Sequence, residues 1–523
     1  MRGVHEYLPS LTRRRALVGL CATIGAPAIL RAQTIFADQP FSLGVASGDP
    51  SPDGFVIWTR LAPRPLDPHG GMPMAIFPVD YEIAEDARFA KIVAKGQELA
   101  RPELAHSVHA EVGGLNPDRP YWYRFIAGGE RSNPGRARTL PHPDAMLDQV
   151  RFVACGCQNY EDGYYTAYRH IAAEELNFVW HYGDYIYEQR GRATILGSDG
   201  LPIPIVREHV SDEIYSLDDY RMRYAQYKLD ADLQAAHAAH SWWVTWDDHE
   251  TDNNWAADHD QDGTPPEIFN LRRQAAAQAY YEHMPLRRTA FPRGTATQIY
   301  RRTSYGKLLD VHLLDTRQYR MDQPCGDGFK PLCPEAETPD RTIMGTAEEK
   351  WLLEGLSRST AQWKLIANQV MIMPLDRRTS AGGEPAFNLD SWAGYPAART
   401  RLLNHIGQHG IRNVVVTTGD EHQNYAGELS ASDGPAVAVE FVSTSISSGG
   451  DGSDRRPGSD VILANNPHLK FINDQRGYIL CDVNQQRWRT DYKVLESVRR
   501  RDAPLTVRQS FAVDPGDVRL VSS

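Results

Sequence analysis

The chain contains no uninterrupted apolar stretch of the about 18 to 20 residues that a spanning helix requires, so no membrane span is expected in the mature protein. Basic excess is also absent: 56 lysines and arginines face 67 aspartates and glutamates, for a formal net charge of −11. That balance, without a basic run, argues against duplex nucleic acid or an anionic membrane surface as the main partner. No internal period of about 20 to 50 residues repeats, which excludes a solenoid. Cysteine is scarce, with six in 523 residues. Cys325 and Cys333 flank a Gly/Pro/Asp-rich loop and are expected to form a disulfide in an oxidising compartment, while the pairing of Cys155 and Cys481 stays open. What is present is an ordinary soluble composition, 41% hydrophobic and 24% charged. The chain is too long for one ordinary core, so two domains are expected.

Residues 1–32 stand apart from the fold. Thr12-Arg13-Arg14-Arg15-Ala16-Leu17 reads as a twin-arginine export signal, followed by the modest apolar segment Leu17 to Leu30 and small residues at Ala26-Pro27-Ala28 and Arg31-Ala32. It implies the twin-arginine translocase as a partner, a periplasmic or extracellular destination, and export after folding. Its five arginines and one glutamate carry +4, so the chain without it carries −15 rather than −11. This acidity is compatible with an anionic substrate, because a bound metal reverses the local field. Five cysteines then remain, an odd number, so at least one thiol has another fate.

From about Phe41 to Thr139 short strand-like runs alternate with turns, as in Gly54-Phe55-Val56-Ile57-Trp58, Val79 to Ile83, His106 to Val112 and Tyr121 to Phe125. Their spacing predicts a small β-sandwich of the immunoglobulin or fibronectin kind over residues 33–140. From about Val150 the grammar changes. Apolar strands alternate with helical segments such as Tyr164 to Leu176, Leu217 to His237 and Ala347 to Leu356, which predicts α/β layering over residues 150–515.

Five strands in this second part end in groups able to bind metal. Arg151-Phe152-Val153-Ala154 leads into Cys155-Gly156-Cys157-Gln158-Asn159, and Phe178-Val179-Trp180 into the loop Gly183-Asp184-Tyr185-Ile186-Tyr187. Trp242 to Trp246 leads into Asp247-Asp248-His249-Glu250, Trp363 to Ala367 into Asn368-Gln369, and Val414 to Thr418 into Gly419-Asp420-Glu421-His422. Sites in open α/β sheets form at the carboxyl ends of strands. A carboxylate and a phenolate three residues apart, Asp184 and Tyr187, suit a hard, highly charged cation, ferric iron above all.

These motifs resemble the PhoD-type alkaline phosphatases, relatives of the purple acid phosphatases among the calcineurin-like metallophosphoesterases. The matching text is Cys157-Gln158-Asn159-Tyr160, Gly163-Tyr164-Tyr165, His181 to Glu188, Trp246 to Glu250, Leu314 to Arg320 and Gly419 to His422. The resemblance implies stacked mixed sheets flanked by helices, and a centre of one ferric ion, Fe(3+), with one or two calcium ions, Ca(2+). Carried over by position, Asp184 bridges the metals and Tyr187, Cys157 and His422 bind iron. Asp248, Asn368 and Asp420 then offer oxygens to calcium. Cys157 stands where the purple acid phosphatases place an aspartate, and Asp420 departs from their histidine.

The implied chemistry is in-line hydrolysis of phosphomonoesters, with some diesters, at alkaline pH. His249 is the expected donor to the leaving oxygen, or else a ring that orients Asp248. Arg317 is expected either to bind phosphate or to form a structural ion pair. Two alternatives stay open: a phosphodiesterase or phospholipase D acting on lipid or polymer headgroups, and a non-catalytic metal-binding surface protein. The loop Gly449 to Gly458 carries no assignable chemistry.

Overall fold

The computed structural model describes Phe36 and residues 38–197, 200–380, 382–431 and 434–523. The export segment expected at residues 1–32 lies outside the described residues. Among the described residues no helix is long and apolar enough to cross a membrane.

Two large sheets face each other, each backed by helices. The strands Gln149–Cys155, Phe178–His181 and Ser241–Val244 run parallel at the centre of a ten-stranded sheet. Leu309–Leu313, Trp363–Ala367, Val414–Thr418 and Ala436–Val442 run parallel in a seven-stranded sheet. The two-residue period of a strand explains the layering. Phe152, Ala154, Trp180 and Trp243 point between the sheets, where they meet Val311, Leu365, Val415 and Phe441. The alternate residues Val153, Val179 and Trp242 point outward, under Tyr168, Tyr220, Leu233 and Phe269 of the covering helices. Ile366, Val414 and Val416 do the same on the second sheet, beneath Leu352, Leu402 and Ile406. Covered on both faces, these strands read as continuous apolar runs rather than alternating ones.

The N-terminal region forms a sandwich, as its strand spacing predicts, but one layer is shared. Val45–Ser51, Gly54–Arg60 and Ser107–Val112 continue the ten-stranded sheet, with Ser47 and Gly48 paired in parallel to Ser241 and Trp242. The second layer is a five-stranded sheet containing Phe77–Ala84 and Pro120–Ala127. Phe55, Ile57 and Val108 pack against Val79, Ile83, Tyr123 and Phe125 between the layers.

The helix expected over Leu217 to His237 is two helices, Leu217–Lys228 and Ala231–Ala239. Asp230 breaks it, because its carboxylate accepts from the amides of Asp232 and Leu233 and starts the second helix as an N-cap. Cys325 and Cys333 form the expected disulfide, while Cys155, Cys157 and Cys481 are free and buried.

Candidate metal centre

Parallel register delivers the loops to one place. His181 is level with Cys155 on one side and Val244 on the other, so the segments holding Cys157, Asp184 and Asp248 leave the sheet together. Ala367 is level with Thr417 in the facing sheet, which brings Asn368 and Asp420 out side by side. The amides of Cys157 and Gln158 donate to the carbonyls of Gly183 and Asp184, both at 3.1 Å. The two sheets are tied at this end by Tyr182, whose hydroxyl donates to the Thr444 carbonyl at 2.6 Å.

The turns are tight. Cys157, Asp184, Asp420 and His422 all hold left-handed backbone, with φ of 52°, 56°, 67° and 52°. Such conformations are uncommon away from glycine and gather where surrounding structure enforces them. Close approach fixes two of the preceding glycines. A Cβ at Gly183 would lie 2.3 Å from the Asp247 amide nitrogen, and one at Gly419 would lie 2.1 Å from the Tyr182 ring.

Three overlapping donor groups result: Cys157 with Asp184 and His422, Asp184 with Asp248 and His249, and Asp247 with Asp248 and Asp420. Within each group one ligand atom per residue lies within 4.8 Å of the others. Asp184 belongs to the first two groups and Asp248 to the last two. The Tyr187 hydroxyl donates to Asp184 Oδ2 at 2.8 Å and lies 3.2 Å from His422 Nε2. All are buried except Asp420 and His422, which are half-buried, the His422 side chain being 30% exposed, so the cluster opens on the side of these two residues.

Neighbouring side chains that bond to these loops hold this geometry. The Glu250 carboxylate accepts from the amides of Asp184 at 3.1 Å, Tyr185 at 2.5 Å and Asp247 at 2.9 Å, locking two loops together. Glu188 Oε2 takes Nδ1 of His249 at 2.7 Å, and the His249 ring stacks on Tyr187 with centroids 4.0 Å apart. The Ser448 hydroxyl lies 2.7 Å from both the Cys157 carbonyl and the Tyr187 hydroxyl, sharing its one proton between them. The amide of Asn254 donates to Asp248 Oδ2 at 2.8 Å.

Burial dominates the electrostatics. It raises the carboxyl of Asp184 well above its ordinary range, with Asp248 and Asp247 adding repulsion. Asp420 is raised in the same way by burial and by Asp247 and Asp390. Burial and the Asp184 carboxylate likewise raise the Cys157 thiol and the Tyr187 phenol. The two histidines diverge. Burial with Arg476 nearby lowers His422 to about 3, which leaves the neutral imidazole that ligates metals. Burial also opposes charge on His249, but Glu188, Asp248 and Asp184 outweigh it and raise its pKa well above the ordinary value, favouring the proton-carrying form.

These residues fit a bound cation. Asp184 Oδ1, Asp247 Oδ2 and Asn368 Oδ1 are buried and find no hydrogen-bond donor among the described residues. Buried oxygens of like charge need a positive partner, and thiol, phenol, carboxylate and imidazole together suit iron on one side while oxygens alone suit calcium on the other.

The structure gathers Cys157, Asp184, Tyr187, Asp248, His249, Asp420 and His422 as donors around one centre. Asn368 sits at the end of Trp363–Ala367 with its Nδ2 on the Val370 carbonyl at 2.6 Å. Arg317 has no exposed side-chain surface. Its Nε donates to Asp247 Oδ1 at 2.6 Å and its Nη1 to Asp390 Oδ1 at 2.9 Å. Asp247, Glu188, Glu250 and Ser448 were not singled out by sequence reasoning. Asp247 had a signal, a second carboxylate in tandem beside Asp248; Ser448 had none.

Comparisons with known proteins place the chain in a family. The family model for the PhoD-like phosphatase matches residues 152–492, and the model for the PhoD-like phosphatase N-terminal domain matches residues 26–141. The chain is 49% identical over 494 residues to alkaline phosphatase D of Bacillus subtilis (strain 168), covering 93% of this chain and 83% of that one. A solved structure of PhoD aligns with a TM-score of 0.90 and 47% identity, over 93% of this chain and 92% of that one.

Proposed function

The chain belongs to the PhoD-like phosphatase family and is a metal-dependent phosphoric ester hydrolase, and from that premise we propose which metals, substrates and residues it uses. The observation that carries the reading is the mixed donor set within 4.8 Å around Asp184, with the Tyr187 phenol beside it. Cys157, Asp184, Tyr187 and His422 would hold ferric iron, and Asp184, Asp248, Asn368 and Asp420, joined by Asp247, would hold calcium. Such a centre supplies Lewis-acid polarisation of a phosphoryl oxygen and a lowered pKa for water.

The protein's own residues do the rest. Opening on the His422 side admits the ester to the cluster, while the buried walls exclude bulk water. His249, fixed through Nδ1 by Glu188 and grouped with Asp184 and Asp248, donates a proton to the leaving oxygen. Arg317, having no exposed surface, acts by holding Asp247 and Asp390 rather than by touching phosphate.

The substrates are phosphomonoesters and some phosphodiesters, hydrolysed at alkaline pH after export by the twin-arginine route to the periplasm or beyond. Turnover of a chromogenic phosphomonoester against the matching diester, across pH 6 to about 10, tests the substrate assignment. Faster monoester turnover with an alkaline optimum is expected. Exclusive diester turnover would instead favour the headgroup-cleaving phosphodiesterase. Recovery of the protein from the periplasm, lacking its twin-arginine segment, tests the export assignment; retention of the intact chain in the cytoplasm would contradict it.

A further inference from the structure

Asp390 lies outside every motif that carries the chemistry, yet it is buried at 2% exposure and receives three side chains at once. Arg317 Nη1 donates to Asp390 Oδ1 at 2.9 Å, Arg320 Nη1 at 2.9 Å and Gln323 Nε2 at 2.6 Å. Two arms run from these contacts to neighbouring carboxylates of the metal cluster. The charged arm passes through Arg317, whose Nε holds Asp247 Oδ1 at 2.6 Å. The neutral arm passes through Gln323, whose Nε2 also donates to the Asn254 carbonyl at 2.6 Å, while the Asn254 amide holds Asp248 Oδ2 at 2.8 Å. Asp247 and Asp248 are adjacent in the chain, so the two arms close a ring on the Asp247–Asp248 peptide.

In this corner Arg317 faces both Asp247 and Asp390, and Arg320 faces Asp390. Without Asp390, Arg317 would have Asp247 and Asp248 as its remaining anions, and Nη2 already stands 3.9 Å from Asp248 Oδ2. The guanidinium would then compete with the cation for the same oxygens.

We propose that Asp390 is a positioning residue for the divalent cation, holding Arg317 back from Asp248 and aligning the Asp247–Asp248 pair through Arg317 and Gln323. It touches neither substrate nor metal. The proposal rests on the calcium assignment above, deepening it with a residue that no ligand motif contains.

The test uses wild type, Asp390→Asn, Gln323→Leu and, as a control, Asp248→Asn, each stripped with a chelator and titrated with calcium by calorimetry. Iron content and unfolding temperature are measured alongside. Outer-shell changes of this kind weaken metal binding by about 10- to 100-fold. Asp390→Asn is expected to weaken calcium by that factor, with iron content unchanged, calcium-free unfolding near wild type, and turnover restored by excess calcium. Gln323→Leu, which keeps every charge, should weaken calcium by a smaller factor and covers the case in which Asp390→Asn fails to fold. Wild-type calcium affinity in both folded variants would overturn the proposal while leaving the calcium site intact. A wild type that binds no calcium, or binds it equally well as Asp248→Asn, would overturn the calcium assignment and the proposal with it.

Discussion

The Tyr187 hydroxyl donates to Asp184 Oδ2 at 2.8 Å, three residues back along the same loop. The Ser448 hydroxyl stands 2.7 Å from that oxygen and His422 Nε2 3.2 Å from it, so the phenol is fixed at the junction of three chain segments. Burial and the Asp184 carboxylate keep it protonated in the protein alone. A trivalent cation reverses that preference and makes phenolate the stable form. Under the proposed iron assignment, the loop keeps a phenol where a ferric ion would deprotonate it.

His249 and His422 separate by chemistry as well as by position. Replacing His249 with Gln is expected to lower kcat by about 100- to 10,000-fold, the usual contribution of a positioned proton donor. Iron should be retained, and the loss should be smaller for an aryl ester whose leaving group needs no proton. Replacing His422 with Ala should instead release iron. Kinetics on aryl and alkyl phosphates, with metal content, distinguish the two; equal losses on both esters would remove His249 as the donor.

Glu250 joins the Asp184 loop to the Asp247 loop through three backbone amides. Glu250→Gln places donors against donors in a buried space. Metal retention and activity are expected to fall by about 10- to 100-fold, read by metal analysis after dialysis. Full occupancy in the variant would show that the loops need no such lock.

Lys228 is buried with Nζ 4.3 Å from the Trp58 ring centroid and 5.1 Å from that of Tyr185. Burial lowers its pKa from 10.5 to about 7. Between those values the unfolded chain binds more protons than the folded one, so stability rises with pH across the window and the penalty is complete below about 7. Each unit corresponds to about 1.4 kcal/mol. Lys228→Met should be more stable than wild type by a few kcal/mol near neutrality, with the gap closing toward pH 10. Denaturant midpoints at several pH values check this; a gap that is constant with pH would contradict it.

The shared ten-stranded sheet makes the N-terminal region part of the catalytic body. Deleting residues up to 140 would strip Val45–Ser51 from Ser241–Val244 and leave that strand as an open edge carrying Trp242 and Trp243. Such edges aggregate. The truncated chain is expected in the insoluble fraction, whereas soluble, metal-loaded material would show that the two parts fold separately.

How much of this was legible in the sequence depends on distance along the chain. The strand ends were, because apolar runs stop abruptly at Gly183-Asp184 and Gly419-Asp420. The break in the helix after Lys228 was legible in principle, since Asp230 is a strong cap. The parallel pairing of Ser47 with Ser241 was not, because nothing local marks a partner about 200 residues away. Asp390 was invisible for the same reason. It sits in a loop without periodicity, 73 residues from Arg317 and 67 from Gln323.

The assignment of ferric iron to Tyr187 is tested most directly by metal analysis combined with the visible spectrum of the purified protein, wild type and Tyr187→Phe. Wild type should contain iron and calcium and be coloured by phenolate-to-iron charge transfer, and Tyr187→Phe should bleach or strongly shift that band. A colourless wild type containing zinc would contradict the iron centre.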